Sequence, residues 1–144
     1  MLRLIEGAIE QGCRQHYDPA QRRAVFLAYA QSLFVEVVHA FDTVVAEATG
    51  TMMGVAQFDP EEGRLRALFV AASAQGHGHG DALLDAVLSR ARAAGLRRIH
   101  GAMSLNAVPF YARHGFRNGE GRARLQHGAV IVPVQPMEKD LMRP

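Results

Sequence analysis

Apolar residues recur at helical spacing in the first part of the chain. Positions 4, 5, 8, 9 and 13 are apolar, which predicts a helix over residues 2–17. Asp18 and Pro19 then interrupt the pattern, and the pair is typical of a helix start, because aspartate can cap a helix and proline suits its first turn. The sequence therefore predicts a second helix from this point towards Phe34. The sequence does not determine where this helix ends, since residues 34–38 would also suit a strand.

Short β-type segments separated by turns dominate the rest of the chain. The predicted strands cover residues 43–48, 52–58, 64–71, 97–103, 116–125 and 129–134, and the predicted helices cover residues 81–94 and 109–114. Thr49 and Gly50 would turn the first two strands into a hairpin. Residues 67–71 are continuously apolar, as expected of a strand buried on both faces. Because a helix joins the third and fourth strands, we expect these two to be parallel, with a right-handed crossover.

The composition fits one folded domain. A length of 144 residues suits a single domain, and 49% hydrophobic with 21% charged residues argues against disorder. Cys13 is the only cysteine, which excludes a disulfide scaffold. The formal net charge of +2 is too small to indicate nucleic-acid binding by itself.

No apolar run approaches the roughly 18–20 residues that a membrane span needs. The first ten residues contain Glu6 and Glu10 and lack the pattern of a signal peptide. We therefore expect a cytoplasmic protein with neither a membrane nor a nucleic-acid partner. A homodimer is left open.

The stretch with the most chemical information is a glycine-rich turn. Residues 75–80 read QGHGHG and lie between the apolar third strand and a predicted helix. Such a turn points several backbone N–H groups outward beside the positive end of a helix dipole, which suits a phosphate group. The dinucleotide fingerprint and the Walker pattern are both absent, whereas Gln75, Gly78 and Gly80 fit the pattern Q-x-x-G-x-G.

Four segments of the chain, taken in order, carry a family resemblance. They read EATGTMMGV over residues 47–55, VAASAQGHGHGDALL over 70–84, NAVPFYARHGF over 106–116 and MEKDL over 137–141. Together they resemble the motifs of the GCN5-related N-acetyltransferases, the GNAT family. The resemblance spans residues 43–141.

The resemblance implies a fold, a reaction and a domain layout. The fold is α/β in the α+β sense: a mixed, mostly antiparallel sheet flanked by helices, with a splay between the family's fourth and fifth strands. Acetyl-CoA would enter that splay as co-substrate, and its acetyl group would pass directly to an amine on a small molecule or peptide, without a metal. Residues 1–144 would form one acetyltransferase domain, with residues 1–42 as a helical acceptor-side segment and 43–141 as the acetyl-CoA-binding core.

The resemblance also implies roles for individual residues. The backbone of residues 69–71 would pair with the pantetheine arm, the N–H groups of residues 75–81 would hold the pyrophosphate, and Ser104 or Asn106 would make a polar contact with CoA. Tyr111 would donate a proton to the departing CoA thiolate, a task that suits a phenolic hydroxyl. The implied acetyl-CoA contacts are Phe69, Val70, Ala71, Gln75, Gly76, His77, Gly78, His79, Gly80, Asp81, Ser104 and Asn106.

Some positions depart from the family pattern. His77 and His79 stand where many relatives have a basic and an aliphatic residue, so the fixed positive charge is smaller at neutral pH. Asp81 suits a helix N-terminus but would oppose a bound anion unless its side chain turned away. The family's first strand is either missing or reduced to residues 2–5.

The predicted third strand offers no acid that could serve as general base. His100 is the only titratable residue of the next strand, so it is a candidate base, although a satisfied or solvated strand histidine is the favoured interpretation. A water relay is the alternative. The acids Glu36 and Asp42 are candidates for recognising an amine.

Two rival functions follow from the same residues. His77, His79 and Asp81 spell H-x-H-x-D, which is reminiscent of a metal-dependent hydrolase, but Ala82 stands where such a site would have a further histidine. A catalytically degenerate domain that only binds CoA is the second rival, and the retention of Tyr111 argues against it.

Overall fold

A computed structural model describes residues 1–35 and 42–142. The helices are α1 (Leu2–Gly12), α2 (Pro19–Val35), α3 (His79–Ala93) and α4 (Val108–Arg113). The strands are β1 (Asp42–Ala48), β2 (Thr51–Asp59), β3 (Arg64–Val70), β4 (Arg98–Ser104), β5 (Arg117–Asn118), β6 (Ala123–His127) and β7 (Val130–Asp140). Within these residues no helix is long and apolar enough to cross a membrane.

The seven strands form one sheet in the order β1-β2-β3-β4-β7-β5, with β6 also paired to β7. Every neighbouring pair is antiparallel except β3 and β4, which are parallel as predicted from the helix between them. Val55 and Ala56 are adjacent on β2 but belong to different core clusters, because successive strand residues point to opposite faces. The cluster of Ala56 contains α3, and that of Val55 contains α1 and α2. Helices therefore flank the sheet on both faces, which confirms the predicted fold class.

The sheet splits between β3 and β4. The two strands pair only at Arg64 and His100, where the His100 N–H donates to the Gly63 carbonyl at 3.0 Å. Gly101 follows, and a Cβ at this position would lie 2.8 Å from the Leu65 carbonyl oxygen. Glycine thus lets the strands meet at the closed end of the split, and beyond it they are no longer paired. This is the predicted splay, which we call the wedge.

The start of α2 matches its sequence signal. The Gln21 N–H donates to the Asp18 carboxylate at 2.7 Å, and the Asp18 N–H donates to the Gln21 side-chain oxygen at 3.0 Å. This reciprocal pair is a capping box. Residue 34 is in α2, and residues 36–38 of the alternative strand lie outside the described residues.

The prediction that the first helix continues to residue 17 is wrong, because α1 ends at Gly12. Tyr17 is anchored by tertiary contacts instead: its hydroxyl donates to the Pro133 carbonyl and accepts the Leu105 N–H at 3.0 Å. Residues 2–5 lie in α1, so the part of the chain described before β1 contains no strand. Of the two expectations for the family's first strand, the structure agrees with its absence.

The last strands also differ from prediction. Residues 116–125 do not form one strand, because a turn with Gly121 at φ +82° separates β5 from β6. β7 continues beyond residue 134 to Asp140, since its second half pairs with β4 from Ser104–Val134 to Arg98–Asp140.

Candidate active site

Three of the cavities in the described structure lie along the wedge. The turn cleft, about 490 Å³, lies between the glycine-rich turn and α4. The wedge cavity, about 40 Å³, lies between β3 and β4. The arginine pocket, about 320 Å³, lies beside α2 and contains Arg64, Arg66 and Arg124 in its lining. The wedge cavity shares Leu68 and Tyr111 with the turn cleft, and it shares Arg66 with the arginine pocket.

The edge of β3 that faces the wedge is open. The Ala71 N–H donates to Met53 on β2 at 2.7 Å, and the Ala71 carbonyl accepts the Ala74 N–H at 2.9 Å, so both backbone groups of Ala71 are engaged. Backbone direction alternates along an antiparallel strand, so Phe69 also points to β2, whereas Leu68 and Val70 point into the wedge. Of the predicted residues 69–71, the structure brings Val70 to the open edge, where its carbonyl already accepts a hydrogen bond from the Gln75 side chain. Leu68 joins it, a residue that the sequence reasoning missed.

The glycine-rich turn presents a row of backbone N–H groups. Gly76 and Gly78 have φ values of +79° and +82°, a conformation that glycine adopts at little cost. The Ala82 N–H donates to the Gly78 carbonyl at 3.0 Å, and no N–H of residues 76–81 has a hydrogen-bond partner among the described residues. The N-terminus of the 15-residue helix α3 adds its positive dipole end at the same place. The geometry suits an anion with several oxygens.

Gln75 and the two histidines have different surroundings. The Gln75 side-chain amide donates to the Val70 carbonyl at 2.9 Å, which ties the turn to the end of β3. The His77 Nδ1 contacts the carbonyl oxygens of Gln75 at 3.0 Å and Ala74 at 3.3 Å, so this nitrogen carries a proton. His79 lines the turn cleft and His77 does not.

Asp81 is held by the far end of α4. Its carboxylate lies 2.7 Å from Nε2 of His114, so the carboxylate has a partner at the rim of the turn cleft. The rings of His77 and His79 are 6.5 Å apart. Among the residues with described positions, no three His, Cys, Asp or Glu side chains are grouped so that they could hold a metal ion. The H-x-H-x-D segment is therefore not folded as a metal centre.

Arg113 is a further residue of the turn cleft that the sequence reasoning missed. Its guanidinium carbon lies 5.9 Å from the centre of the Phe110 ring, which is also in the lining. Arg113 supplies a permanent positive charge beside the glycine-rich turn. The available signal was its place in the last turn of the short helix, two residues after Tyr111.

Tyr111 lies where the turn cleft meets the wedge cavity. The side chain is 5% exposed and packs edge-on against Phe110 and Phe116, with ring centres 5.1 Å and 5.3 Å away. No group in the described part of the chain hydrogen-bonds its hydroxyl, and no buried side-chain oxygen there is without a partner, so the hydroxyl reaches open space. Burial raises the pKa of Tyr111 well above that of free tyrosine. The hydroxyl is therefore protonated and able to donate.

Ser104 and Asn106 line overlapping sets of cavities. Asn106 lines the turn cleft and accepts a hydrogen bond from the Cys13 thiol at 3.1 Å. Burial raises the pKa of Cys13 to about 11, so this thiol is neutral at physiological pH. Ser104 lines the wedge cavity and the arginine pocket. Both residues also line a further cavity of about 290 Å³ beside α1, which includes Gln75, so the structure brings both of them to the site.

His100 lies at the closed end of the wedge. Its ring is exposed, and Nε2 is 3.1 Å from the Glu62 carbonyl oxygen. It does not line any of the three cavities. The structure therefore does not bring His100 together with Tyr111.

A sheet split at its one parallel pair, with an anion-binding turn on one side and a protonated tyrosine inside, is the arrangement of an acyltransferase. The sequence matches the family model described as Acetyltransferase (GNAT) domain over residues 9–141. The chain therefore belongs to the GNAT family of acetyltransferases. None of the curated proteins compared with it matches at a significant level.

Solved structures show the same fold. A GCN5-related N-acetyltransferase from Rhodopseudomonas palustris superposes with a TM-score of 0.82 at 23% identity, over 97% of this chain and 87% of that chain. The PaiA N-acetyltransferase of Thermoplasma acidophilum, in complex with coenzyme A, superposes with a TM-score of 0.70 at 15% identity, over 96% of this chain and 89% of that chain. A ribosomal-protein-alanine N-acetyltransferase from Brucella melitensis superposes with a TM-score of 0.65 at 19% identity, over 97% of this chain and 91% of that chain.

Proposed function

We propose that the protein transfers an acetyl group from acetyl-CoA directly to a primary amine that enters from the other side of the wedge. The observation that carries this proposal is the open β3 edge, which runs from the row of free N–H groups to the Tyr111 hydroxyl. Membership of the GNAT family supports it, and so does the coenzyme A that was bound to the similar PaiA enzyme.

The donor side is assigned from the geometry of the turn cleft. Leu68 and Val70 would pair with the amide groups of the pantetheine arm, as an added strand would. The N–H groups of residues 76–81 would hold the pyrophosphate, and Arg113 with His79 would add positive charge. We assign to Asn106, which lines the turn cleft, the polar contact with CoA that the resemblance implied for either Ser104 or Asn106. In this proposal residues 1–144 form one domain, with residues 1–42 on the acceptor side and 43–141 forming the acetyl-CoA-binding core.

The reaction forms a C–N bond to the amine and breaks the C–S bond of the thioester. Tyr111 would donate its proton to the departing thiolate, since its hydroxyl is protonated and opens at the wedge. The amine must lose a proton as well. His100 is turned to the Glu62 carbonyl, and no carboxylate lines the wedge cavity among the described residues, so we assign this step to water.

The test is acetyl-CoA turnover with a panel of primary amines. We expect thiol release that depends on the amine, with an amine product heavier by one acetyl group. Cys13 is buried and neutral, so its reaction with the thiol reagent should be slow beside that of free CoA.

Two other outcomes would contradict the proposal. Thiol release without any amine would indicate thioester hydrolysis. Binding of acetyl-CoA without turnover of any amine would favour the degenerate CoA-binding domain. The cytoplasmic location and the homodimer stay predictions from the sequence.

A further inference from the structure

The arginine pocket lies on the opposite side of the wedge from the turn cleft. It is lined by residues of α2, β3, β4, β6 and β7, while the turn cleft is lined by the start of α3 and by α4. α2 and α3 belong to core clusters on opposite faces of the sheet. The wedge cavity adjoins both cavities, because it shares Tyr111 with the turn cleft and Tyr29, Arg66 and Ser104 with the arginine pocket. The wedge cavity, which Tyr111 lines, therefore lies between the arginine pocket and the turn cleft.

The charge of this pocket has one sign. Arg64, Arg66 and Arg124 line it, and no Asp or Glu does so among the described residues. Arg64 and Arg66 both belong to β3 and both line this pocket, with Arg66 at the register shift between β2 and β3. Neither Arg64 nor Arg124 forms an ion pair with a carboxylate in the described part of the chain.

Tyr29 lines the same pocket as the two strand arginines. Its burial raises its pKa, while the positive charges of Arg64 and Arg66 oppose that shift. A pocket with this lining binds anions, because guanidinium groups form paired hydrogen bonds with carboxylate and phosphate oxygens.

Resting on the proposed acetyl transfer, we propose that the acceptor is a small amine whose other end carries a carboxylate or a phosphonate-type anion. Arg64 and Arg66 bind the anion, and Arg124 adds charge at the more exposed rim. The pocket volume of about 320 Å³ suits a molecule of amino-acid size. The amine then points through the wedge towards Tyr111.

This proposal differs from recognition of the amine by acids. Asp42 pairs with Phe58 at the start of β1 and does not line the pocket, and Glu36 lies outside the described residues. A positively charged pocket also disfavours the ammonium form of a bound amine, which lowers the amine's pKa. The arginines would thereby ease the loss of the amine proton, for which no described residue of the wedge cavity or the arginine pocket offers a carboxylate.

The experiment compares matched acceptors by kcat/KM. Each amino acid is paired with its carboxyamide, and each aminoalkyl phosphonate with the corresponding amino alcohol. We expect the anionic member of a pair to be preferred by at least about tenfold, because a site built for a charged partner discriminates against an analogue that lacks it. The two sets of pairs show which of the two anions the pocket favours.

Arginine variants locate the preference. Arg64→Gln and Arg66→Gln should lower kcat/KM for the anionic acceptors by about tenfold or more and leave the neutral ones nearly unchanged. Arg124→Gln, at an exposed position, should have a smaller effect in the same direction. Arg90→Gln is the control, since Arg90 lies in the last turn of α3 and outside the three cavities. Thermal unfolding of each variant checks that it is folded.

The outcomes separate this inference from the proposed function. Acetylation of neutral or polycationic amines as fast as anionic ones overturns the inference and leaves the acetyltransferase intact. An equal loss with all acceptors in folded Arg64→Gln and Arg66→Gln overturns it too. Failure of the wild-type protein to bind acetyl-CoA in a calorimetric titration overturns the proposed function itself.

Discussion

Tyr111 and Tyr17 are both almost fully buried, but within the described structure only Tyr17 has partners for its hydroxyl. The Tyr111 hydroxyl opens at the junction of two cavities and keeps its proton because burial raises its pKa. The Tyr17 hydroxyl is a structural link, and the Tyr111 hydroxyl is available for chemistry.

Tyr111→Phe should lower kcat by about 10²-fold or more, within the range for loss of a general acid. The KM for acetyl-CoA should change little, because the lost interaction belongs to the transition state. Thermal stability should also hold, since the hydroxyl has no partner among the described residues. Steady-state kinetics and a melting curve measure all three, and full activity in a stable variant would remove Tyr111 from the mechanism.

Gly78→Glu should weaken acetyl-CoA binding by at least about tenfold, or roughly 1.4 kcal/mol. The carboxylate would extend into the anion-binding turn and repel the pyrophosphate. The substitution also strains the backbone, because Gly78 has φ +82°.

Gly121→Glu is the matched control. Gly121 has the same φ of +82°, a Cβ there would also meet nothing within 4 Å, and it lies in the turn between β5 and β6. We expect similar destabilisation in both variants and a binding defect only at Gly78. Equal affinity in the two variants would mean that the phosphates lie elsewhere.

The roles of single residues could be predicted where they depend only on neighbouring residues in the chain. The glycine-rich turn and the Tyr111 motif stand out because glycine dihedrals and a helix N-terminus act within a few residues. Leu68 was missed because the direction of a strand's backbone groups depends on its register with β2, which the sequence does not state. In the sequence Arg113 resembles an ordinary surface charge. Only the position of α4 against the turn cleft shows that it lines the site.

At the scale of helices and strands, the contact of Tyr17 joins three parts of the chain. Its hydroxyl links the connection between α1 and α2 to β7, through Pro133, and to the end of β4, through Leu105. Leu105 precedes Asn106, so this contact also supports the wall of the turn cleft.

Tyr17→Phe should therefore cost about 1–3 kcal/mol of unfolding free energy, because it leaves the Leu105 N–H and the Pro133 carbonyl without their partner. Denaturant unfolding measures the change, and Tyr111→Phe, which removes a hydroxyl without described partners, serves as the control. Equal stability of the two variants would show that the Tyr17 hydroxyl does not hold these elements together.

Elements were predicted well where a local signal marks their ends. The capping box of Asp18 and Gln21 starts α2, and Thr49 with Gly50 turns β1 into β2. The prediction of one strand over residues 116–125 was wrong because it passed over a local turn signal, the Asn118-Gly119 dipeptide followed by Gly121. The continuation of β7 to Asp140 was not predicted, because it depends on pairing with β4, a contact between distant parts of the chain.

For the molecule as a whole, the split between β3 and β4 organises the function. In the proposed function, the donor would use the open strand edge and the glycine-rich turn on one side, and the acceptor would use the arginine-lined pocket on the other. The family resemblance predicted the split and the donor side. The charge of the acceptor pocket was not predictable, because Arg64 and Arg66 precede the wedge on β3 while Arg124 comes from a strand sixty residues later.

The measurement that tests the central claim most directly is thermal unfolding of the wild-type protein with acetyl-CoA, and in parallel with zinc. The account predicts a clear rise in melting temperature with acetyl-CoA, since a ligand at about 100 times its dissociation constant adds roughly 2.7 kcal/mol to a folded state that alone binds it. Zinc should give no comparable shift. Stabilisation by zinc that is lost in His77→Ala, with no effect of acetyl-CoA, would contradict the account.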